Sequence, residues 1–329
     1  MGINKDRITY LDNLCGLLMI NMVFFVHIRM HADVTAGIIP FINRLLCFFM
    51  PWFFYKSGML YHDEDWKNRI KKDFRSLILP YLYFTVFGWI VYACSSLMTG
   101  KISLEHLVVT PVKDIFCSEA ILWNGPLWFL PSLFVVKWLA CVLFKRLNVW
   151  VVLSVSVLIA ALFHYTGYVY PVYLGNILLG LSFYSLGKLM KEIQYERWVF
   201  IFAFVLFVIA VSIPVVSNYF DFRYNTVDEG DNYFLVLVYC VAGIVLFNNI
   251  FKRYIDREIP VLSSLGRNSI IILCVHYPLV KLFTGILDRI HPFSPVQMWI
   301  ILTVLMIPVL WLFVWLVNKK AAFLIGKKS

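Results

Sequence analysis

The chain has 329 residues, of which 61% are hydrophobic, 18% aromatic and only 15% charged, with a mean hydropathy of +0.79. That balance excludes a water-soluble globular domain and marks an integral membrane protein in contact with lipid. The net charge of +10 calls for no nucleic acid, because Lys and Arg flanking spans are retained on the cytoplasmic side, facing anionic headgroups.

A spanning helix takes about 20 mostly apolar residues, and such stretches lie at 11–30, 40–61, 76–98, 127–145, 149–165, 171–190, 198–217, 233–251, 268–287 and 296–317. The expected fold class is therefore all-α: a polytopic membrane helical bundle of about ten transmembrane helices, forming a single domain over residues 1–329. An N-terminus in the cytoplasm places most Lys and Arg residues on that side, so both termini are expected there, in a cell inner or plasma membrane. The first apolar run follows Lys5 and Arg7, as a signal peptide would. No small-x-small site follows His27, however, and Asp12-Asn13 interrupts the pattern, so the run is read as a retained first helix. The seven cysteines are scattered without a C-x-x-C pair, which indicates neither a metal site nor a disulfide frame.

The first helix carries Asp12 near one end and His27 near the other, roughly 22 Å apart along an α-helical axis. Gly16, eleven residues before His27, projects to nearly the same face. His27 is either an interfacial polar residue or a general base, since neutral imidazole titrates near working pH. Lys56, inside the second span, either lines a water-filled cavity or snorkels, and Ser57-Gly58 suits close helix packing. Lys67, Arg69, Lys71, Lys72 and Arg75 form a basic cluster before the third span, as a positive-inside loop or as a phosphate site. Residues 99–126 are expected as an outer loop with amphipathic pieces, and 218–232 as an acidic, aromatic one. Asn124 and Trp128 sit at the mouth of the fourth span, where an amide and an aromatic face suit a sugar, although interfacial tryptophans are common. Ser269 is a helix-start cap or a ligand contact. His276, at mid-membrane depth, requires a partner or a cavity.

Several stretches, in order along most of the chain, resemble the acyltransferase 3 family of membrane proteins, in particular its sugar O-acetylase branch. They are "RITYLDNLCGLLMI…VHI", "MPWFFYKSGMLY" (50–61), "KKDFRSLILPYLYF" (71–84), "NGPLWFLPSLFVV" (124–136) and "SSLGRNSIIILCVHYPLV" (263–280). The resemblance implies transfer of an acyl group, usually acetyl, from cytoplasmic acyl-CoA to a hydroxyl of an envelope glycan or a lipid-linked sugar, with no metal. On that pattern His27 and Asp12 are the catalytic residues. Arg69, Lys72, Arg75 and Lys56 hold acyl-CoA, and Asn124, Trp128, Ser269 and His276 contact the acceptor. The chain departs from the family in three places. Cys15-Gly16 stands where Lys-Gly or Arg-Gly is common, the Asp-to-His interval is one residue longer, and Ser76 replaces an arginine before Leu-Pro. A glycan exporter without covalent chemistry, or an inactive acyltransferase-like protein, are the alternative readings.

Overall fold

A computed structural model of the chain describes residues 8–99, 105–168, 171–212, 220–228 and 230–327. It is built from α1 (Thr9–His31), α2 (Ile38–Met59), α3 (Trp66–Leu97), α4 (Thr110–Ser118), α5 (Phe129–Leu143), α6 (Val149–Tyr165), α7 (Val172–Met190), α8 (Arg197–Ser212), α9 (Tyr233–Tyr254), α10 (Pro260–Arg267), α11 (Ser269–Ile290) and α12 (Pro295–Lys320). Two short antiparallel strands, β1 (Phe220–Asp221) and β2 (Thr226–Val227), pair Phe220 with Val227 and Asp221 with Thr226. The chain is thus an all-α membrane bundle with almost no sheet.

Among the described residues, seven helical segments are long and apolar enough to cross a membrane: α1, α2, α3, Leu107–Leu143, α9, α11 and α12. The apolar helices α6 and α8 are shorter. Segment 171–190, read from the sequence as a further span, is α7, which packs against α2, α5 and α6. It buries Gly175, Asn176, Gly180, Ser182 and Ser185. Those small and polar residues let neighbours approach closely. Helix α12 lies at the periphery, and its Trp311 is 71% exposed, as a lipid-facing side chain would be.

Two close helix crossings need glycine. A Cβ on Gly58 would fall 1.9 Å from the Tyr184 carbonyl oxygen, and one on Gly187 would fall 2.1 Å from that of Tyr55, so α2 and α7 touch backbone to backbone. A Cβ on Gly16 would fall 2.1 Å from the Leu262 oxygen and one on Gly266 2.0 Å from that of Asp12, so α1 and α10 approach in the same way.

Among the described residues, α1 and α3 each contain a π-helical segment, and a third, Glu105–Val109, leads into α4. In α1, residues Asn21–Ile28 form a π-helical segment, which holds more residues per turn than an α-helix and often marks a functional site. Two side chains bond carbonyls of the widened turn: Trp299 Nε1, from α12, donates to the Phe24 oxygen (2.8 Å), and Arg29 Nε, from the next turn of α1, to that of Phe25 (3.1 Å). In α3, Phe74–Ile78 is also π-helical. Pro80 follows it and has no N–H to return to the preceding turn. The C-terminal turn Ala322–Ile325 ends in Gly326 (φ +71°), laid against the Arg75 backbone where a Cβ would sit 2.0 Å from the carbonyl oxygen.

Of the stretch expected as an outer loop, 99–126, residues 100–104 lie outside the described residues and most of the rest is helical. It contains α4, and a 3₁₀ segment, Leu122–Trp128, leads into α5.

Candidate active site

His27 and His276, from α1 and α11, meet inside the bundle with Nδ1 of His27 2.8 Å from Nε2 of His276. His276 is fully buried, and its Nδ1 lies 2.8 Å from the Ile272 carbonyl oxygen. A carbonyl only accepts, so Nδ1 of His276 carries a hydrogen. In a neutral ring its Nε2 is then the bare acceptor. His27 therefore donates through Nδ1, and Nε2 of His27 is left with a lone pair. Tyr277 packs its ring edge-on against His27, with centroids 5.1 Å apart.

His27 lines a cavity of about 290 Å³ together with Asn43, Trp128, Asp221, Arg223 and Tyr277. The β1–β2 turn forms one wall. Asn225 takes the left-handed conformation (φ 53°) and Tyr224 N donates to Asp221 Oδ1 (3.1 Å), which folds the turn tightly. Arg223 is tethered through its guanidinium to the Ser118 carbonyl. Phe222, from the same turn, stacks on Trp128 (6.1 Å, 22°) and on Phe54 (5.1 Å, 13°). The cavity thus combines a base, a guanidinium, a carboxylate and aromatic rings.

A second cavity, of about 170 Å³, lies toward the basic end of the bundle and is lined by Cys15, Lys56, Ser57 and Ser269 among apolar side chains. Lys56 is half-buried, with its Nζ 5.0 Å from the Trp52 ring centre. Met22, Met50 and Leu273 belong to both cavities and form the partition between them.

The expected site residues divide accordingly. His27 and Trp128 line the first cavity, whereas His276 is fully buried behind His27, to which it is hydrogen-bonded, and does not line the cavity. Lys56 lines the second cavity. Ser269 lies there too, and so away from the acceptor contact assigned to it. Asp12 is at the opposite end of α1 from His27, 3.6 Å from Arg267 Nε. It packs α1 onto α10 and forms no pair with His27, because one helix cannot bring residues fifteen apart together.

Asn124 is buried, and its amide is used within the fold. Nδ2 donates to the carbonyl oxygens of Cys274 (2.9 Å) and Phe84 (3.1 Å), tying α11 to α3. Arg69 is likewise taken up, since it bonds Asp73 Oδ2 (3.0 Å), Tyr184 (3.2 Å) and Glu64 (3.5 Å) while Lys137 pairs with the other Asp73 oxygen. This buried cluster joins α3, α5 and α7, so Arg69 does not face a phosphate. Lys72 and Arg75 are exposed at the same end.

One departure from the family pattern acquires a structural reason. Gly16 faces the α10 backbone at a distance no side chain could enter. The residue that lines a cavity is its neighbour Cys15, and the cation in that cavity is Lys56. His27 itself lies in the π-helical segment Asn21–Ile28, which changes the pitch of α1 after Asp12.

Three features of the site were not anticipated from the sequence: Tyr277, the polar pair Asp221 and Arg223, and the methionine partition. Tyr277 directly follows His276, and the acidic, aromatic character of 218–232 was visible. Neither says which cavity the residues reach.

A family model described as an acyltransferase domain matches residues 8–315. No curated protein and no solved structure matches the chain. With nearly the whole length covered, on a helical membrane bundle that brings two histidines together, the chain belongs to the acyltransferase 3 family of membrane proteins.

Proposed function

We propose that the protein transfers an acyl group, most simply acetyl, from acyl-CoA at the cytoplasmic, basic end of the bundle to a hydroxyl of a cell-surface glycan or lipid-linked sugar entering from the other side. The observation that carries this reading is the bare Nε2 of His27, fixed in its tautomer by His276 and directed to a cavity with sugar-compatible walls.

The chemistry follows from that lone pair. The acceptor hydroxyl donates to His27 Nε2, and as its oxygen bonds to the thioester carbonyl carbon the proton moves to the imidazole. His276 Nε2 accepts from Nδ1 throughout and stabilises the imidazolium, with no need of a nearby carboxylate. Collapse of the tetrahedral adduct breaks the carbon–sulfur bond. His27 returns its proton to the departing thiolate, so the products are the ester and free coenzyme A, with no net change in protons. Trp128, Asp221 and Arg223 would hold the sugar, since an aromatic face packs on ring C–H groups while charged groups bond hydroxyls. Lys56 would meet the pantetheine arm, and Lys72 with Arg75 the nucleotide phosphates.

The test is a deletion strain complemented with wild type or His27→Ala at equal membrane levels. Ester-linked acyl groups on extracted surface glycan are quantified by NMR before and after mild alkali. The reading requires the ester to vanish on deletion and to return with wild type alone. Full restoration by His27→Ala refutes it.

A further inference from the structure

The His27 cavity and the Lys56 cavity share three lining residues, Met22, Met50 and Leu273. Met22 lies in the π-helical part of α1, five residues before His27 and so about 7 Å below it along the axis. It is 1% exposed, and Leu273 is 6% exposed. Leu273 stands one turn before Tyr277 on α11, and Met50 follows Phe49 in α2. The three approach the gap from three different helices, and all are apolar.

Their mobilities differ. Methionine is unbranched, with three rotatable bonds, and adapts to whatever fills the space beside it. Leu273 is branched, and its helix is held in place by the bond from Asn124 to the adjoining Cys274 carbonyl. Two walls of the gap can therefore pivot while the third stays fixed. If the acyltransferase reading holds, the thioester carbonyl must reach His27 Nε2 while the coenzyme stays on the Lys56 side. The acyl group then leads through the gap.

We propose that Met22, Met50 and Leu273 form a collar that selects the acyl group by cross-section, passing straight acyl groups and rejecting branched or aromatic ones. A straight chain presents the same width whatever its length, so pivoting methionines suffice for it. A benzoyl or isobutyryl group needs Leu273 displaced, and its position is set by the α11 backbone.

The test uses the purified full-length protein, surface glycan deacylated with mild alkali as acceptor, and acetyl-CoA, isobutyryl-CoA or benzoyl-CoA as donor, following release of the coenzyme thiol. Wild type should favour acetyl over benzoyl by about 100-fold, and Met22→Ala or Leu273→Ala should raise the benzoyl-to-acetyl ratio about tenfold or more. Met22→Phe should slow acetyl transfer without raising that ratio. Met22→Val and Leu273→Val give the same direction with a smaller size, should an alanine variant fail to fold. An unchanged ratio in folded variants that retain His27-dependent acetyl transfer overturns the collar alone. Absence of any His27-dependent thiol release from wild type overturns the acyltransferase reading, and the collar with it.

Discussion

The side chain of Asn124 bonds a carbonyl in the middle of α11 that a proline leaves without its usual donor. Pro278 has no N–H to donate to the carbonyl of Cys274, four residues earlier, and Asn124 Nδ2 supplies that bond at 2.9 Å. The second histidine of the dyad, His276, lies between Cys274 and Pro278, so this contact sets where its ring stands. Gly88 provides the room, since a Cβ there would lie 2.9 Å from that of Asn124.

Asn124→Ala should therefore lower thermal stability by the equivalent of about 1–3 kcal/mol, the cost of a buried carbonyl left unpaired. It should also reduce kcat more than KM. Gly88→Ala should act in the same direction. Melting in detergent together with acyl-transfer kinetics checks both effects, and a fully stable, fully active Asn124→Ala variant would contradict this role.

Loss of the base and loss of its partner should differ. His27→Ala should cost about 10²–10⁴-fold in kcat, the range for a general base. His276→Phe leaves Nδ1 of His27 without its acceptor and should also be impaired. His276→Gln, whose side-chain oxygen can accept from Nδ1, should recover part of the lost rate. Equal rates for His276→Phe and His276→Gln would show that the bond between the rings is unimportant.

Arg69→Ala should lower stability, by less than the about 3–5 kcal/mol that a wholly uncompensated buried charge costs, since Lys137 still pairs with Asp73. The cause is the Asp73 carboxylate, which is 3% exposed and keeps only Lys137 as a cationic partner. Where Arg69→Ala folds, its KM for acyl-CoA should match wild type. A raised KM with unchanged melting would return Arg69 to the donor site.

Lys56→Met keeps the bulk of the side chain and removes its charge. Its expected effect is a higher KM for acyl-CoA with near-native melting, measured by thiol release over a range of donor concentrations. An unaltered KM would count against donor binding in the second cavity.

Gly16→Arg restores the family's cation at the position that sequence spacing suggests, and it should abolish accumulation of folded protein. Gly16→Ala should already lower melting, because its Cβ would lie 2.1 Å from the Leu262 oxygen. Fluorescence-detected size exclusion of tagged variants reads this directly. A monodisperse Gly16→Arg protein would mean that α10 can move away from α1.

His27 and His276 were each visible in the sequence as costly polar groups at or within a span, and the family resemblance nominated them as site residues. Their pairing was not visible, because they lie 249 residues apart and helical periodicity relates only near neighbours. The same limit explains Arg69 and Asn124. Charge and position made one resemble a phosphate ligand and the other a sugar contact, whereas Asp73, Tyr184 and the Cys274 carbonyl had already engaged them. The longer interval between Asp12 and His27 could be counted in the sequence. That α1 is π-helical over Asn21–Ile28, with His27 lining a cavity and Trp299 and Arg29 donating to the carbonyls of Phe24 and Phe25, was visible only in the structure.

The sequence by itself determined that this is a helical membrane protein, where most of its apolar helices begin and end, and which family it belongs to, because hydropathy and short motifs are local properties of the chain. Only the tertiary structure decided that the two histidines share a hydrogen bond, that Lys56 and Cys15 line a second cavity, and that Met22, Met50 and Leu273 stand between the two. Those relations depend on how closely α1, α2 and α11 pack, which no single helix specifies.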